Sequence, residues 1–162
     1  MKKRLLLILL IVSIIIFGGC ENATNLRTAY FSEITSAGSE NYGVRVNFAT
    51  DSRLEGKGVD VQIKFSKVGT ITIWQENQDK IEYRIEDYDE WYSLESIFSQ
   101  PNQETFERYE KATARAYLFN SQQPMDITMR AVAGTIAENA YQTGEILLES
   151  MPISNQFTLK IK

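Results

Sequence analysis

Apolar and polar residues alternate along much of this chain. The clearest run places apolar side chains at every second position: Val59, Val61, Ile63 and Phe65. A period of two is typical of a β-strand with one face in a core and the other in solvent. Further runs cover residues 30–34, 44–49, 70–74, 81–85, 112–119, 127–133, 145–148 and 156–161. The pattern predicts seven to nine strands.

Short polar turns separate the neighbouring runs, and no regular helical crossover joins them. Val68-Gly69 and Gln78-Asp79 have spacings that fit antiparallel hairpins. Strands at this density favour two antiparallel sheets packed face to face. We therefore predict an all-β, immunoglobulin-like antiparallel β-sandwich, with a small barrel as the alternative. The chain has one cysteine, so packing alone must join the sheets.

Residues 86–111 interrupt the strand pattern. Residues 88–98 carry apolar side chains at helical spacing, namely Trp91, Leu94, Ile97 and Phe98, and residues 104–111 add a second candidate helix. Asp87 and Asp89 suit the amino end of the first helix as capping residues. We predict that this segment is a short helical insertion between two strands.

The amino terminus differs from the rest of the chain. Three basic residues precede Leu5 to Phe17, an apolar run of 13 residues interrupted only by Ser13. As a helix this run is about 20 Å long, whereas a bilayer core is about 30 Å thick. A basic start, a short apolar run and small residues after it are the order of a signal peptide. We expect the rest of the chain to be exported.

The residues that end this run, Phe17-Gly18-Gly19-Cys20, resemble the lipobox of bacterial lipoproteins. The resemblance implies cleavage between Gly19 and Cys20 and a diacylglycerol on the sulfur of Cys20. The alternatives are a leader cut elsewhere and an uncleaved anchor. We predict a signal peptide at 1–19, a lipidated cysteine and spacer at 20–28, and the β-sandwich at 29–162. The expected location is the extracytoplasmic face of a cell membrane.

Removal of the leader makes the protein more acidic than the full chain, whose net charge is −4. Three of the 17 basic residues lie in the leader and none of the 21 acidic residues does, which leaves 14 basic residues against 21 acidic residues and a net charge of −7. This charge disfavours nucleic acid as a partner. We expect the lipid on Cys20 to hold the protein at the membrane, and a protein or an envelope glycan to be its partner.

The composition excludes several kinds of chemistry. The chain contains no histidine, which removes Ser-His-Asp and Cys-His catalysis and histidine-ligated metals. No glycine-rich phosphate loop is present. We predict no cofactor.

Two groups of residues are candidate binding sites. The carboxylates of Asp87, Asp89 and Glu90 are candidate calcium ligands, although helix capping explains them equally well. Flat aromatic rings at a surface can bind a sugar, and the candidates for such a site are Trp74, Tyr88, Trp91 and Tyr92. Burial in the core is the competing explanation for these rings.

These observations favour a non-catalytic binding or interaction module anchored by lipid to the bacterial cell envelope. A carbohydrate-binding module that uses the surface aromatics is the alternative. A small envelope hydrolase that uses a carboxylate pair such as Asp87 with Glu90, or Glu76 with Asp79, is a third hypothesis.

Overall fold

The computed structural model describes residues 28–34, 40–49, 57–76, 79–98, 114–136 and 147–162. These residues form ten β-strands and one short helix. The elements are β1 (Ala29–Ile34), β2 (Tyr42–Phe48), β3 (Gly58–Phe65), β4 (Gly69–Gln75), β5 (Ile81–Ile85), β6 (Tyr92–Ser93), α1 (Leu94–Phe98), β7 (Arg115–Asn120), β8 (Met125–Ile136), β9 (Leu147–Pro152) and β10 (Phe157–Ile161).

The strands form two antiparallel sheets. The first sheet has the order β1-β2-β7-β4-β5, and the second has the order β10-β8-β3-β6. Strand β9 pairs with the second half of β8, so β9 and β10 lie end to end along one edge of β8. Between them the Ala131 N–H donates to Ser154 Oγ at 2.8 Å, and the Ile153 N–H donates to the Ala131 carbonyl at 2.9 Å. The predicted all-β sandwich is confirmed.

The core lies between the two sheets and is built by the alternation seen in the sequence. Val61, Ile63 and Phe65 of β3 are buried, and Gln62 and Lys64 between them are only half-buried. The first sheet contributes alternate residues of its own strands to the same core, including Val44, Val46, Ile71, Ile73, Tyr117 and Phe119. Each large aliphatic side chain buried in this way contributes about 1.5–3 kcal/mol.

Each of the nine runs that the sequence pattern marks overlaps a strand, and the tenth strand is the two-residue β6. The expected helix over residues 88–98 is shorter, because α1 begins only at Leu94. Its cap is Ser93, whose Oγ accepts the Ser96 N–H at 3.2 Å. The prediction that Asp87 and Asp89 cap the helix is wrong, since both lie outside its first turn. The second expected helix, at 104–111, lies outside the described residues.

The turn between β3 and β4 crosses from one sheet to the other, so the predicted hairpin at Val68-Gly69 is wrong. Ser66 is tied to the second sheet, because its N–H donates to the Asp126 carbonyl at 3.0 Å and its Oγ accepts the Asp126 N–H at 2.9 Å. Gly69 then redirects the chain with φ 146°. Gln123 Nε2 donates to the Val68 carbonyl at 2.9 Å and fills the space beside Gly69.

We expect Gly69→Ala to destabilise the protein by about 1–3 kcal/mol, because L side chains rarely adopt this backbone conformation. An added Cβ would also lie 1.8 Å from Gln123 Nε2. Urea unfolding measures the change. The matched control is Val68→Ala at the exposed neighbouring position, which should change the free energy of unfolding by less than about 0.5 kcal/mol. Equal stabilities for the two variants would contradict the strained turn.

Candidate functional site

Trp91 packs on the outer face of the second sheet. The Arg130 guanidinium lies 4.1 Å from the centre of its ring, and the Lys64 ammonium lies 5.3 Å from it. Arg130 is held in turn by Gln62, whose Oε1 accepts the Arg130 Nε–H at 2.9 Å. Trp91 is therefore a half-buried ring fixed by cations and contributes nothing to the core between the sheets.

The two tyrosines of the candidate aromatic group have different surroundings. Tyr92 packs against the core, with its ring 6.0 Å from both Phe65 and Tyr83, and its hydroxyl donates to the Asp87 carbonyl at 2.8 Å. Tyr88 is 62% exposed. Tyr92 is thus a structural residue, whereas Tyr88 is available at the surface.

Trp74 lies on the opposite side of the sandwich from Trp91. It alternates with the buried Ile71 and Ile73 of β4, so it faces outward from the first sheet. The exposed Lys80 ammonium lies 5.6 Å from the centre of its ring. Because Trp74 and Trp91 are on the outer faces of different sheets, the four aromatic candidates do not form one platform.

The acidic candidates Asp87, Asp89 and Glu90 are exposed. Asp89 forms an ion pair with Lys64 at 2.8 Å, and its N–H donates to the Phe65 carbonyl at 3.0 Å. Among the residues that the structure describes, no three acidic, cysteine or histidine side chains are arranged to hold a metal ion. The structure does not bring the three candidate calcium ligands together.

Cys20 and Gly19 lie outside the described residues, as does the rest of the proposed leader. The described chain begins at Thr28, where the Thr28 and Ala29 N–H groups both donate to the Ile153 carbonyl, at 2.9 and 3.1 Å. Within the described ranges, no helix has the length and apolar character needed to cross a membrane.

A buried polar cluster joins α1 to the first sheet. It consists of Asp60, Ser93, Glu95, Arg115 and Tyr117, and we call it the Glu95 cluster. Glu95 Oε1 accepts from Arg115 Nη1 at 3.0 Å and from the Tyr117 hydroxyl at 3.2 Å. Glu95 and Tyr117 are 0% exposed. A helix of five residues is not stable alone, so these bonds and the burial of Leu94 hold α1 in place.

Burial changes the acid–base behaviour of the Glu95 cluster. Loss of water around Asp60 raises the pKa of its carboxyl from 3.8 to about 7; the charge of Glu95 adds to this effect, while the Ser93 hydrogen bond and Arg115 oppose it. Burial also raises the pKa of Tyr117, and the charge of Glu95 raises it further. Burial alone would lower the pKa of Arg115, but the neighbouring Tyr117, Glu95 and Asp60 together raise it.

An acid with a strongly raised pKa is a common feature of active sites. In this protein the cluster is enclosed, because no solvent contacts Glu95 or Tyr117 and Asp60 is only 3% exposed. A substrate reaches Glu95 Oε1 only if α1 moves. The arrangement therefore acts as a structural joint between α1, β3 and β7.

An open polar cleft lies at the end of the sandwich farthest from Thr28. We call it the far-end cleft. Its main cavity is about 600 Å³, and its lining residues carry hydroxyl, amide or carboxylate groups: Thr70, Thr72, Glu82, Asn120, Ser121, Gln122 and Gln123. A second cavity of about 380 Å³ shares Asn120, Ser121 and Gln122 with it and adds Glu40, Tyr42 and Lys162.

Hydrogen bonds to the backbone fix the walls of the far-end cleft. Asn120 Nδ2 donates to the Glu40 carbonyl at 2.8 Å, and Gln123 Nε2 donates to the Val68 carbonyl at 2.9 Å. The Tyr42 hydroxyl accepts the Lys162 N–H at 3.0 Å. Asn120, Gln123 and Tyr42 are therefore positioned before any ligand binds, which lowers the entropy that binding would lose.

No protein-family model matches the chain, and no curated protein and no solved structure matches it significantly.

Neither the Glu95 cluster nor the far-end cleft follows from the sequence pattern. One signal of the cluster was present: Arg115 shares the inward face of β7 with Tyr117 and Phe119, and a cation in an apolar row needs a buried partner. The cleft left a weaker signal, the polar run Asn120 to Gln123 between two strands. A polar run of this kind is equally typical of an ordinary turn.

We expect Arg115→Met to lower the free energy of unfolding by about 3–5 kcal/mol, because it leaves the Glu95 carboxylate buried without its cation. Urea unfolding measures the effect. Arg45→Met, on the exposed face of the neighbouring β2, is the matched control and should change stability by less than about 0.5 kcal/mol. A small effect at both positions would show that Glu95 does not depend on Arg115.

We expect the protein to be less stable at pH 8 than at pH 5. The pKa of the Asp60 carboxyl is about 7 in the folded protein, against an ordinary value of 3.8, so the folded state binds this proton more tightly than the unfolded state does. The stability that this proton contributes is lost as pH rises through the folded-state pKa. The free energy of unfolding should fall by on the order of 2–3 kcal/mol over this window. The chain contains no histidine to titrate there. Asp60→Asn should remove the dependence, whereas the exposed Asp126→Asn should retain it; a flat profile for the unaltered protein would refute this assignment.

Proposed function

We propose that this chain is a lipid-anchored extracytoplasmic binding module of the bacterial cell envelope, and that it is non-catalytic. One observation carries the proposal. The only cysteine of the chain directly follows Gly18-Gly19, at the end of a 13-residue apolar run that begins after three basic residues. A cysteine in this position has no disulfide partner within the chain, and lipidation gives its thiol a purpose.

The dimensions of the chain support this arrangement. Thr28 lies eight positions after Cys20, a reach of at most about 26–29 Å. A lipid on Cys20 would therefore keep the sandwich close to the membrane while attaching it by the end that contains Thr28. The far-end cleft lies at the opposite end, where a partner outside the membrane can reach it.

The composition and the geometry also support a binding role over catalysis. Histidine is absent, and the only carboxyl group with a strongly raised pKa in the described residues, that of Asp60, is enclosed in the Glu95 cluster. The main cavity of the far-end cleft offers neutral hydrogen-bonding groups and one carboxylate, Glu82. Such groups bind a polar ligand, and glycoside hydrolysis needs a second acid at a fixed separation.

The test is incorporation of a palmitate analogue in bacteria that express the full chain. We expect the unaltered chain to take up label and Cys20→Ser to take up none. The matched control is the double variant Cys20→Ser with Ala23→Cys, which restores a thiol three positions along the chain. It should remain unlabelled, because the lipobox fixes the position of the thiol. Label on either variant, or none on the unaltered chain, would refute the anchor.

A further inference from the structure

The outer face of the first sheet carries two adjacent rows of side chains beside the far-end cleft. In the first row Glu82, Thr72 and Asn120 are paired across β5, β4 and β7, and all three line the main cavity. In the second row Trp74 is paired with Leu118. Trp74 and Thr72 are two positions apart on the same face of β4, a separation of about 7 Å. Trp74 is therefore the next outward-facing residue of β4 after Thr72, which lines the polar cleft.

The second row is apolar across four strands. Leu118 is paired with Gly43, and Gly43 is paired with Ile34. Gly43 allows its neighbours to approach each other, since an added Cβ would lie 2.8 Å from Ile34 Cβ and 3.1 Å from Leu118 Cδ2. Trp74, Leu118 and Ile34 thus form a half-buried apolar strip next to the polar row.

This combination selects among ligand classes. A wholly apolar ligand would leave the hydroxyl, amide and carboxylate groups of the cleft without partners. An anionic polymer would meet Glu82, the one charged residue that lines the main cavity, on a protein with a net charge of −7 without its leader. A neutral sugar chain fits both rows, because its rings present C–H groups on their faces and hydroxyl groups at their edges.

We propose that the surface from Trp74 to the far-end cleft binds a neutral oligosaccharide. The Trp74 indole stacks on one sugar ring, and the side chains of Thr72, Glu82 and Asn120 hydrogen-bond the hydroxyl groups of the next. The inference rests on the proposed function, in which the chain is a binding module, and it names the ligand class. It assigns no role to Trp91, which faces the other way.

A ligand that stacks on Trp74 must either displace the Lys80 side chain from the ring or bind beside it. Its ammonium lies 5.6 Å from the Trp74 ring centre and its side chain is exposed. An exposed lysine chain is flexible and can leave the ring without any change in the strands. The two cations at Trp91 are held in place, since Arg130 is hydrogen-bonded to Gln62 and Lys64 forms an ion pair with Asp89.

The test uses the full lipidated chain in a detergent without a sugar headgroup. Cellohexaose and chitohexaose are titrated as neutral probes, with a galacturonate hexamer as the anionic comparison, and binding is followed by calorimetry. We expect a neutral hexasaccharide to bind and Trp74→Ala to weaken its binding by about tenfold or more. Glu82→Ala, at an exposed position, should weaken binding without affecting folding.

Trp91→Ala is the matched control and should change the affinity by less than about twofold. If that variant does not fold, Tyr88→Ala serves instead, because Tyr88 is exposed and lines neither cavity of the far-end cleft. Failure of both neutral probes to bind, tighter binding of the galacturonate, or equal losses for Trp74→Ala and the control would overturn the proposal. Cys20→Ser should bind the sugar as well as the unaltered chain does, so failure of the anchor and failure of the sugar site are separate results.

Discussion

The apolar layer between the two sheets determines where the other side chains of this protein lie. A strand has only two faces, and once Ile71 and Ile73 enter the core, Trp74 must face outward from the first sheet. The same rule places Lys64 and Arg130 on the outside of the second sheet, where they hold Trp91. The two tryptophans are therefore separated by the whole thickness of the core.

The Glu95 cluster is the main exception to this division between apolar inside and polar outside. Glu95 and Arg115 are both almost completely buried, and each requires the other because an isolated buried charge is far less stable than a paired one. A buried ion pair adds little net stability over apolar packing, but it is directional. It therefore specifies where α1 docks, which five residues of weak intrinsic helicity cannot do alone.

Local periodicity reveals the strands but says little about how they are arranged. Residues 59–65 and 70–74 were identifiable as strands because each alternates cleanly, yet their assignment to different sheets depends on Gly69 and on Ser66 bonding to Asp126. Ser66 and Asp126 are 60 positions apart, so the residue pattern within one strand cannot predict their contact. The helix start was misjudged for a related reason. Apolar spacing over 88–98 suggested one helix. Tyr92 and Ser93 instead pair with β3 and form a short strand, and the helix begins only after them.

The candidate site was only partly predictable on the same grounds. Trp74 was among the aromatic candidates, and alternation along β4 is sufficient to place it on the outward face. Its neighbours were missed, because Glu82 and Asn120 reach Thr72 only through pairing with β5 and β7. The sequence grouped Trp74 with Trp91, 17 positions away, while the sheet groups it with Leu118, 44 positions away. Nearness along the chain is a poor guide in a sandwich, because consecutive strands often belong to different layers.

The register of the first sheet also connects the proposed anchor to the proposed site. Strands β1 and β2 run between the two ends of the sandwich, from the pair Ala29 and Phe48 to the pair Ile34 and Gly43. Thr28, to which the tether would connect, precedes the first pair, and Tyr42, beside the far-end cleft, adjoins the second. Seven residues of β2 span about 23 Å. A ligand in the cleft would therefore lie a full strand length beyond the point of attachment, which suits a polymer outside the membrane better than the lipid surface itself.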